Sequence, residues 1–341
     1  MTEGRFSSFS KSARFSVLLC AALSVLPVSA LADIVWPTPL KDFALGRPPE
    51  SFLQPTVSGN SVSGGFGDVR NNGYKFHEAI DIRPEKRDRY GEPLDDIYAA
   101  MDGVVVCVNR VAGNSGYGRY VVLTHPNEDV EVYTLYAHMS DIAAGISVGK
   151  SVSAGTRLGQ MGRSASYTIR KPQAHLHFEI GLMSSKNFDK WYYGSRKFKD
   201  KNRFGNYNGI NLTGFDPLDF FYAARAGRVD SMAGYIQSLP TAFVVRVYTK
   251  AVPDFAKMYP KLVDTKGSDC GWDIHMTWFG LPQKMERIKN PDPAKAGRQT
   301  IEIVSFNPDE IKRKCRVMVI QRGGKIFVTN TLIDTVRKLF P

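Results

Sequence analysis

Beyond residue 32 the chain has no apolar run long enough to cross a bilayer and no convincing internal repeat. Between residues 61 and 183 it also lacks any stretch with a long helical period. These absences exclude a membrane span after the first residues, a repeat array, and a helical bundle in that region. Cysteine and histidine are scarce, four and six among 341 residues, so a cluster of either carries weight. Acidic residues are the minority, 33 against 45 Lys and Arg, which leaves a formal net charge of +12 at pH 7.

The first residues read as an export signal. Arg5, Lys11 and Arg14 precede an apolar run over 17–30, and Ala30-Leu31-Ala32 is a small-x-small cleavage site. The mature chain is therefore expected to begin at Asp33, without a membrane span, in the periplasm or outside the cell. Cleavage removes three basic residues and one acidic one, leaving about +10. A basic exported chain suits an anionic partner such as cell wall, membrane surface or nucleic acid. Export implies an oxidising compartment. Cys107 falls in an apolar run and reads as a buried thiol, whereas Cys270 and Cys315 are candidates for a disulfide that spacing alone does not establish.

Residues 33–60 are rich in proline and read as an extended leader lying on the next domain. From 61 to 183 short apolar runs alternate with glycine turns, the pattern of an antiparallel β domain. Residues 184–206 interrupt it as a loop-like insertion in which seven Lys and Arg are interleaved with Phe188, Trp191, Tyr192, Tyr193, Phe198 and Phe204. A helix is expected from Pro217 to Arg225, closing a unit that spans 61–225. The remainder, 235–341, reads as a separate accessory α+β domain. Strands are expected over 242–248, 300–304, 316–320 and 325–328, with a hairpin turn at Arg322-Gly-Gly324 and a closing helix over 331–339. The fold class is thus mainly β, an antiparallel domain followed by an α+β domain. Trp272, Trp278 and Phe279 fit a core better than a ligand platform.

Chemistry concentrates in two short segments. Residues 76–82 read Phe-His-Glu-Ala-Ile-Asp-Ile and residues 174–180 read Ala-His-Leu-His-Phe-Glu-Ile. Strand side chains alternate, so His175, His177 and Glu179 share one face while Leu176, Phe178 and Ile180 enter a core. His77 and Asp81 share a face whether their segment is a strand or a helix. His138, in Tyr-Ala-His at 136–138, adds a fifth group. Imidazole nitrogens and a carboxylate are the donors an open zinc site uses, and a further histidine near the metal can move the water's proton. The five together point to metal-dependent hydrolysis. His125 and His275 fall outside the set and read as structural or surface residues.

These residues, with Gly64-Gly-Phe-Gly67, Ala99-Ala-Met-Asp-Gly-Val104, Gly116-Tyr-Gly118 and Asp216-Pro-Leu218, resemble the lysostaphin-like M23 zinc peptidases, also called LytM domains. The resemblance runs from about Ser63 to Leu218. It implies a β-sheet groove with one zinc ion on its floor, held by His77, Asp81 and His177, and His138 and His175 as catalytic histidines. It implies peptidoglycan as partner and the amide bonds of its peptide cross-links or stems as substrate. Ala79 departs from the family's usual glycine, and the segments 163–174 and 184–206 are unusual, so both are expected to shape substrate entry.

Other readings are weaker. A non-catalytic LytM-type wall-binding protein, or an activator of another hydrolase, would usually have lost some of the five groups. Gly162-Arg-Ser-Ala-Ser166 misses the nucleophile-elbow pattern at its last position. The 184–206 segment could hold single strands by charge and stacking, but a nucleic-acid partner is not expected.

Overall fold

The computed structural model describes Met1 and residues 34–292, 294–295 and 300–341; the expected export signal lies outside the described residues. Its centre is a seven-stranded antiparallel sheet. In order, it runs Leu212–Phe215, Leu176–Met183, Val132–Met139, Arg119–His125, Gly103–Asn109 and Ser151–Val152. The short strand Ile80–Ile82 pairs with the first half of Leu176–Met183. The hydrophobic alternation explains the layering. Leu176 and Phe178 pack with Ile80, Ile82 and Tyr136 beneath the sheet, and Tyr133, Leu135 and Ala137 pack with Cys107 and Tyr120 on its other face.

Residues 34–60 are built into this core. Phe52 and Leu53 are buried, and Trp36 stacks on Phe43 at 4.5 Å with Phe221 edge-on at 5.1 Å. Each large apolar side chain buried in this way contributes roughly 1.5–3 kcal/mol. The backbone is tied as well, with Gln54 N–H donating to the Asp81 carbonyl at 2.7 Å and Arg83 N–H to the Phe52 carbonyl at 3.0 Å.

The segment 184–206 is more ordered than its composition suggests. Instead of a continuous loop it contains the helix Phe188–Gly194, which buries Phe188, Trp191 and Tyr192. Phe198 stacks on Tyr192 at 4.4 Å. Most of its aromatics are thus spent on a small core of their own, and local polarity concealed it because the basic residues face outward. The next helix, Pro217–Arg225, begins where proline and a capping aspartate predict, with Asp216 accepting from Leu218 N–H at 2.9 Å.

The C-terminal part carries a five-stranded sheet, ordered Val263–Asp264, Pro282–Arg287, Gly271–Met276, Phe243–Tyr248 and Ile301–Phe306, and the hairpin Val319–Arg322/Lys325–Val328. The expected strand over 316–320 therefore starts later, at Val319. The closing helix, Asn330–Leu339, buries Leu332, Thr335, Val336 and Leu339 at helical spacing. This sheet has no core of its own. Phe243, Val245, Trp272 and Met276 share one cluster with Ile180, Leu182 and Phe215 of the central sheet. Trp272 is buried with its indole N–H on the Ala251 carbonyl at 3.0 Å. Cys107, Cys270 and Cys315 are all free thiols, so the candidate pairing of Cys270 with Cys315 is not made. No described helix is long and apolar enough to cross a membrane.

His125 is a structural histidine. Its Nδ1 lies 2.7 Å from the Asp102 carbonyl and its Nε2 2.8 Å from the Thr134 hydroxyl, in a buried position. Burial lowers its pKa to about 4. An unfolded histidine titrates near 6.5, so between these values the unfolded chain binds the extra proton, and stability present at neutral pH is lost as the pH falls. His125→Asn should narrow the stability gap between wild type and variant by up to about 3 kcal/mol from roughly pH 7 to pH 4. Urea unfolding across that range checks this; a gap independent of pH would contradict it.

Candidate metal centre

Register brings the two sequence segments together. In the antiparallel pair Ile80–Ile82/Leu176–Met183, Asp81 lies directly opposite His177, with Ile82 opposite Leu176 and Ile80 opposite Phe178. Directly opposed residues on one face have side chains about 4.5–5.5 Å apart at Cβ. His77 ends the adjacent strand Lys75–His77, one turn before Ile80. The pair that could share a strand or a helix thus sits on two short strands joined by Glu78 and Ala79.

Three potential ligand atoms converge. His77 Nε2 and His177 Nδ1 are 3.3 Å apart, and each lies 3.2 Å from Asp81 Oδ1. Zinc bonds of about 2.0–2.2 Å in a tetrahedron give edges of about 3.3–3.6 Å, so this triangle has the dimensions such an ion needs. The opposite nitrogen of each imidazole is committed elsewhere. His77 Nδ1 donates to the Gly65 carbonyl at 2.7 Å, and His177 Nε2 donates to Glu179 Oε1 at 3.1 Å. Tyr133 donates to the other oxygen of Glu179 at 2.8 Å. These bonds commit the far nitrogens and turn His77 Nε2 and His177 Nδ1 toward Asp81.

His138 and His175 flank the triangle. The His138 ring lies 4.8 Å from that of His175 and 5.6 Å from that of His177. Strand alternation would send His138 away from this face, because its neighbour Ala137 is the residue opposite His177. A left-handed backbone at His138, φ +60°, breaks the alternation and returns the imidazole to the site. Its Nδ1 then donates to the Ser164 carbonyl at 2.8 Å. That carbonyl is reachable because Gly118, at φ +65°, lies so close that a Cβ would fall 2.0 Å from it. His175 Nδ1 donates to the Gln173 carbonyl at 2.6 Å, and its Nε2 lies 3.4 Å from Asp81 Oδ1. All five residues expected from the sequence therefore meet in one place.

Burial and charge set the protonation states. Burial works against the Asp81 charge, but the surrounding His175, His77 and His177 hold its carboxyl well below the usual range. Burial drives His138 well down, and it also lowers His175, so both imidazoles are neutral near pH 7. Burial opposes the His177 charge too, yet its bonds to Asp81 and Glu179 raise it to about 10. A metal at Nδ1 must displace that proton, so metal uptake weakens as the pH falls. Burial and Glu179 keep Tyr117 and Tyr133 protonated, so both remain donors beside the cluster.

Arg70 was not legible in the sequence. It ends the strand Gly67–Arg70 and donates through Nη2 to Asp81 Oδ2 and, at 2.9 Å, to His77 Nε2. Glu179 was legible as sharing the face of His177, but its role as the carboxylate that orients His177 was not.

An antiparallel sheet holding a buried His/Asp cluster that could bind one metal ion is the class of protein these features define. Residues 75–189, about a third of the chain, match the model of peptidase family M23, whose members are zinc-dependent. Among solved structures, the chain is similar to a putative glycyl-glycine endopeptidase lytM from Ruminococcus gnavus, at 30% identity over 34% of this chain and 43% of that one, TM-score 0.27. It is similar also to a mutant catalytic domain of the prophage-encoded M23 protein EnpA from Enterococcus faecalis, at 25% identity over 34% and 76%, TM-score 0.27. A zinc-containing peptidase from Vibrio cholerae matches at 25% identity over 34% and 31%, TM-score 0.26. The chain thus spans less than half of two of these three proteins. No curated protein matches the chain.

Glu179→Gln keeps the side-chain volume but removes the charge that orients His177. It should weaken zinc binding about 10- to 100-fold, read by competition with a chromophoric chelator near neutral pH. Unchanged affinity would mean that His177 needs no such partner.

Proposed function

We propose that the chain is an exported zinc endopeptidase that hydrolyses amide bonds in the peptide cross-links or stems of peptidoglycan. In this reading His77, Asp81 and His177 hold the ion, and His138 and His175 are the catalytic histidines. The peptidase unit is taken as 61–225 and the accessory unit as 235–341, acting in the periplasm or outside the cell. The observation that carries it is the triangle of ligand atoms at 3.2–3.3 Å, each imidazole locked by a bond to its other nitrogen. The M23 domain over 75–189 supports peptide-bond hydrolysis, and the wall substrate follows from the motif resemblance.

Zinc in such a site makes a water acidic enough to attack near neutral pH and polarises the scissile carbonyl. The chain's own residues do the rest. Asp81 supplies the negative charge that retains a dication, and its second oxygen stays with Arg70. His138 and His175 are neutral, each with Nδ1 tied to a backbone carbonyl, so Nε2 is the nitrogen open to receive a proton from the attacking water. Once protonated, either can donate to the leaving amine or stabilise negative charge on the carbonyl oxygen. Tyr117, ring to ring 5.5 Å from His177, borders the same space.

Arg70 favours one alternative. Its guanidinium already neutralises Asp81 and occupies the His77 lone pair, an arrangement that suits a wall-binding protein or an activator of another hydrolase with no metal.

Mass spectrometry of muropeptides released from purified sacculi tests both. Chelation should abolish release and zinc should restore it. His177→Ala should lose the metal, whereas His138→Ala should keep it and lose about 10²- to 10⁴-fold in turnover. Equal loss of zinc in the two variants would overturn the assignment of roles. A zinc-free preparation that releases nothing yet binds sacculi would replace the proposal by the alternative.

A further inference from the structure

The C-terminal part also walls the groove over the metal centre. The groove, about 1370 Å³, is lined by Tyr117, His138 and His177 of the metal-centre region and by Phe279, Arg316 and Lys338 of the C-terminal part. The wall is braced from two directions. Trp278 and Phe279 pack against Phe76, the residue before His77, at 5.5 and 6.3 Å between rings. Lys197 of the 184–206 segment pairs with Asp334 of the closing helix, and Lys190 Nζ reaches the Pro341 carbonyl at 2.9 Å.

Two cations on this wall lack a carboxylate. Arg316 Cζ lies over the Phe76 ring, 3.8 Å from its centroid, and Nη1 donates to the Phe279 carbonyl at 3.2 Å. Lys338 Nζ donates to the Ile210 carbonyl at 2.8 Å and stands 5.9 Å from the Trp191 ring. Among the described residues neither has a carboxylate oxygen within the 4.0 Å of an ion pair. Arg313, three residues before Arg316, by contrast meets Glu310 at 3.4 Å and Asp68 at 3.7 Å. Arg316 is held in place at a cost, because its backbone takes a left-handed φ of +47° that residues with a Cβ rarely adopt.

The two cations act on one another. Burial first, and then the nearby Arg316 charge, lower the Lys338 pKa to about 8 against a smaller opposing effect of Asp334. Glu78 and Glu179 offset part of the Arg316 charge from a distance, but Glu179 is already spent on His177 and Tyr133. A guanidinium offers paired donors that match a carboxylate, and a carboxylate placed between the two cations relieves their repulsion.

We infer that Arg316 and Lys338 form a subsite for a free carboxylate of the substrate peptide, so that the C-terminal part selects anionic peptides for the metal centre. The inference rests on the peptidase reading above. It makes Arg316 and Lys338 specificity residues, with no part in the proton transfers.

The test uses the zinc-loaded full chain and two substrates: a muropeptide dimer with free carboxylates, and the same dimer amidated with carbodiimide and ammonia. Wild type should cut the free acid at least 10-fold better in kcat/KM, mainly through KM. R316Q and K338Q should cut the acid about as poorly as wild type cuts the amide, with kcat within about twofold and no loss on the amide. Lys338 is partly exposed, so K338Q carries the test if R316Q melts early. Equal cutting of both dimers by wild type, or equal losses on both dimers in the variants, overturns the subsite. If wild type cuts neither dimer the peptidase reading fails, and equilibrium binding of the two dimers then decides the subsite alone. A preference for the acid that R316Q abolishes keeps it, and no preference ends it.

Discussion

Everything at the candidate metal centre depends on one register, the pairing of Ile80–Ile82 with Leu176–Met183 that sets Asp81 opposite His177. A slip of one residue would carry Asp81 into the apolar layer and bring Ile80 and Ile82 out into the groove. The apolar faces of the same strands prevent that slip, because Ile80, Ile82, Leu176 and Phe178 are all fully buried in one core. The hydrophobic pattern thus positions the polar one. The carboxylate and the imidazole are adjacent because the residues between them cannot be placed any other way round.

Holding the imidazoles is a separate task, performed by hydrogen bonds from the nitrogens that face away from the centre. Gly65, Ser164 and Gln173 supply backbone carbonyls, and Glu179 supplies a carboxylate. Burial keeps His138 and His175 neutral against the upward pull of their carbonyls, which suits the proton-accepting role proposed for them. Asp81 and Glu179 together raise His177 above the buried His138 and His175, and the Glu179 bond suits donation from its other nitrogen to a metal. Two histidines in one short segment, 175 and 177, therefore acquire different chemistry from the partner each meets.

The C-terminal part belongs to the same construction. Its sheet shares a core with the back of the central sheet, and its Trp278 and Phe279 support Phe76 from the front. The strand carrying His77 is short, and that aromatic contact adds to its pairing with Gly67–Arg70 and the Phe66 ring. Expected helices at 217–225 and 331–339 and the strands over 243–248 and 325–328 were legible because capping, proline placement and periodicity are local signals. The helix Phe188–Gly194 was not, since its apolar residues pack against one another within a strongly basic stretch.

What the sequence determined by itself was the set of five candidate residues and the shared face of His175, His177 and Glu179, because both follow from residue type and a period of two. Only the tertiary structure decided how His138 reaches the site, since a left-handed residue inside a strand breaks the very period from which sequence is read. The same holds for Arg70 on Asp81, for the carbonyl that orients each imidazole, and for Arg316 over Phe76. Each joins groups that no local pattern relates, in the last case across 240 positions of chain. Such contacts arise from how separate pieces of backbone pack, which periodicity and propensity do not encode.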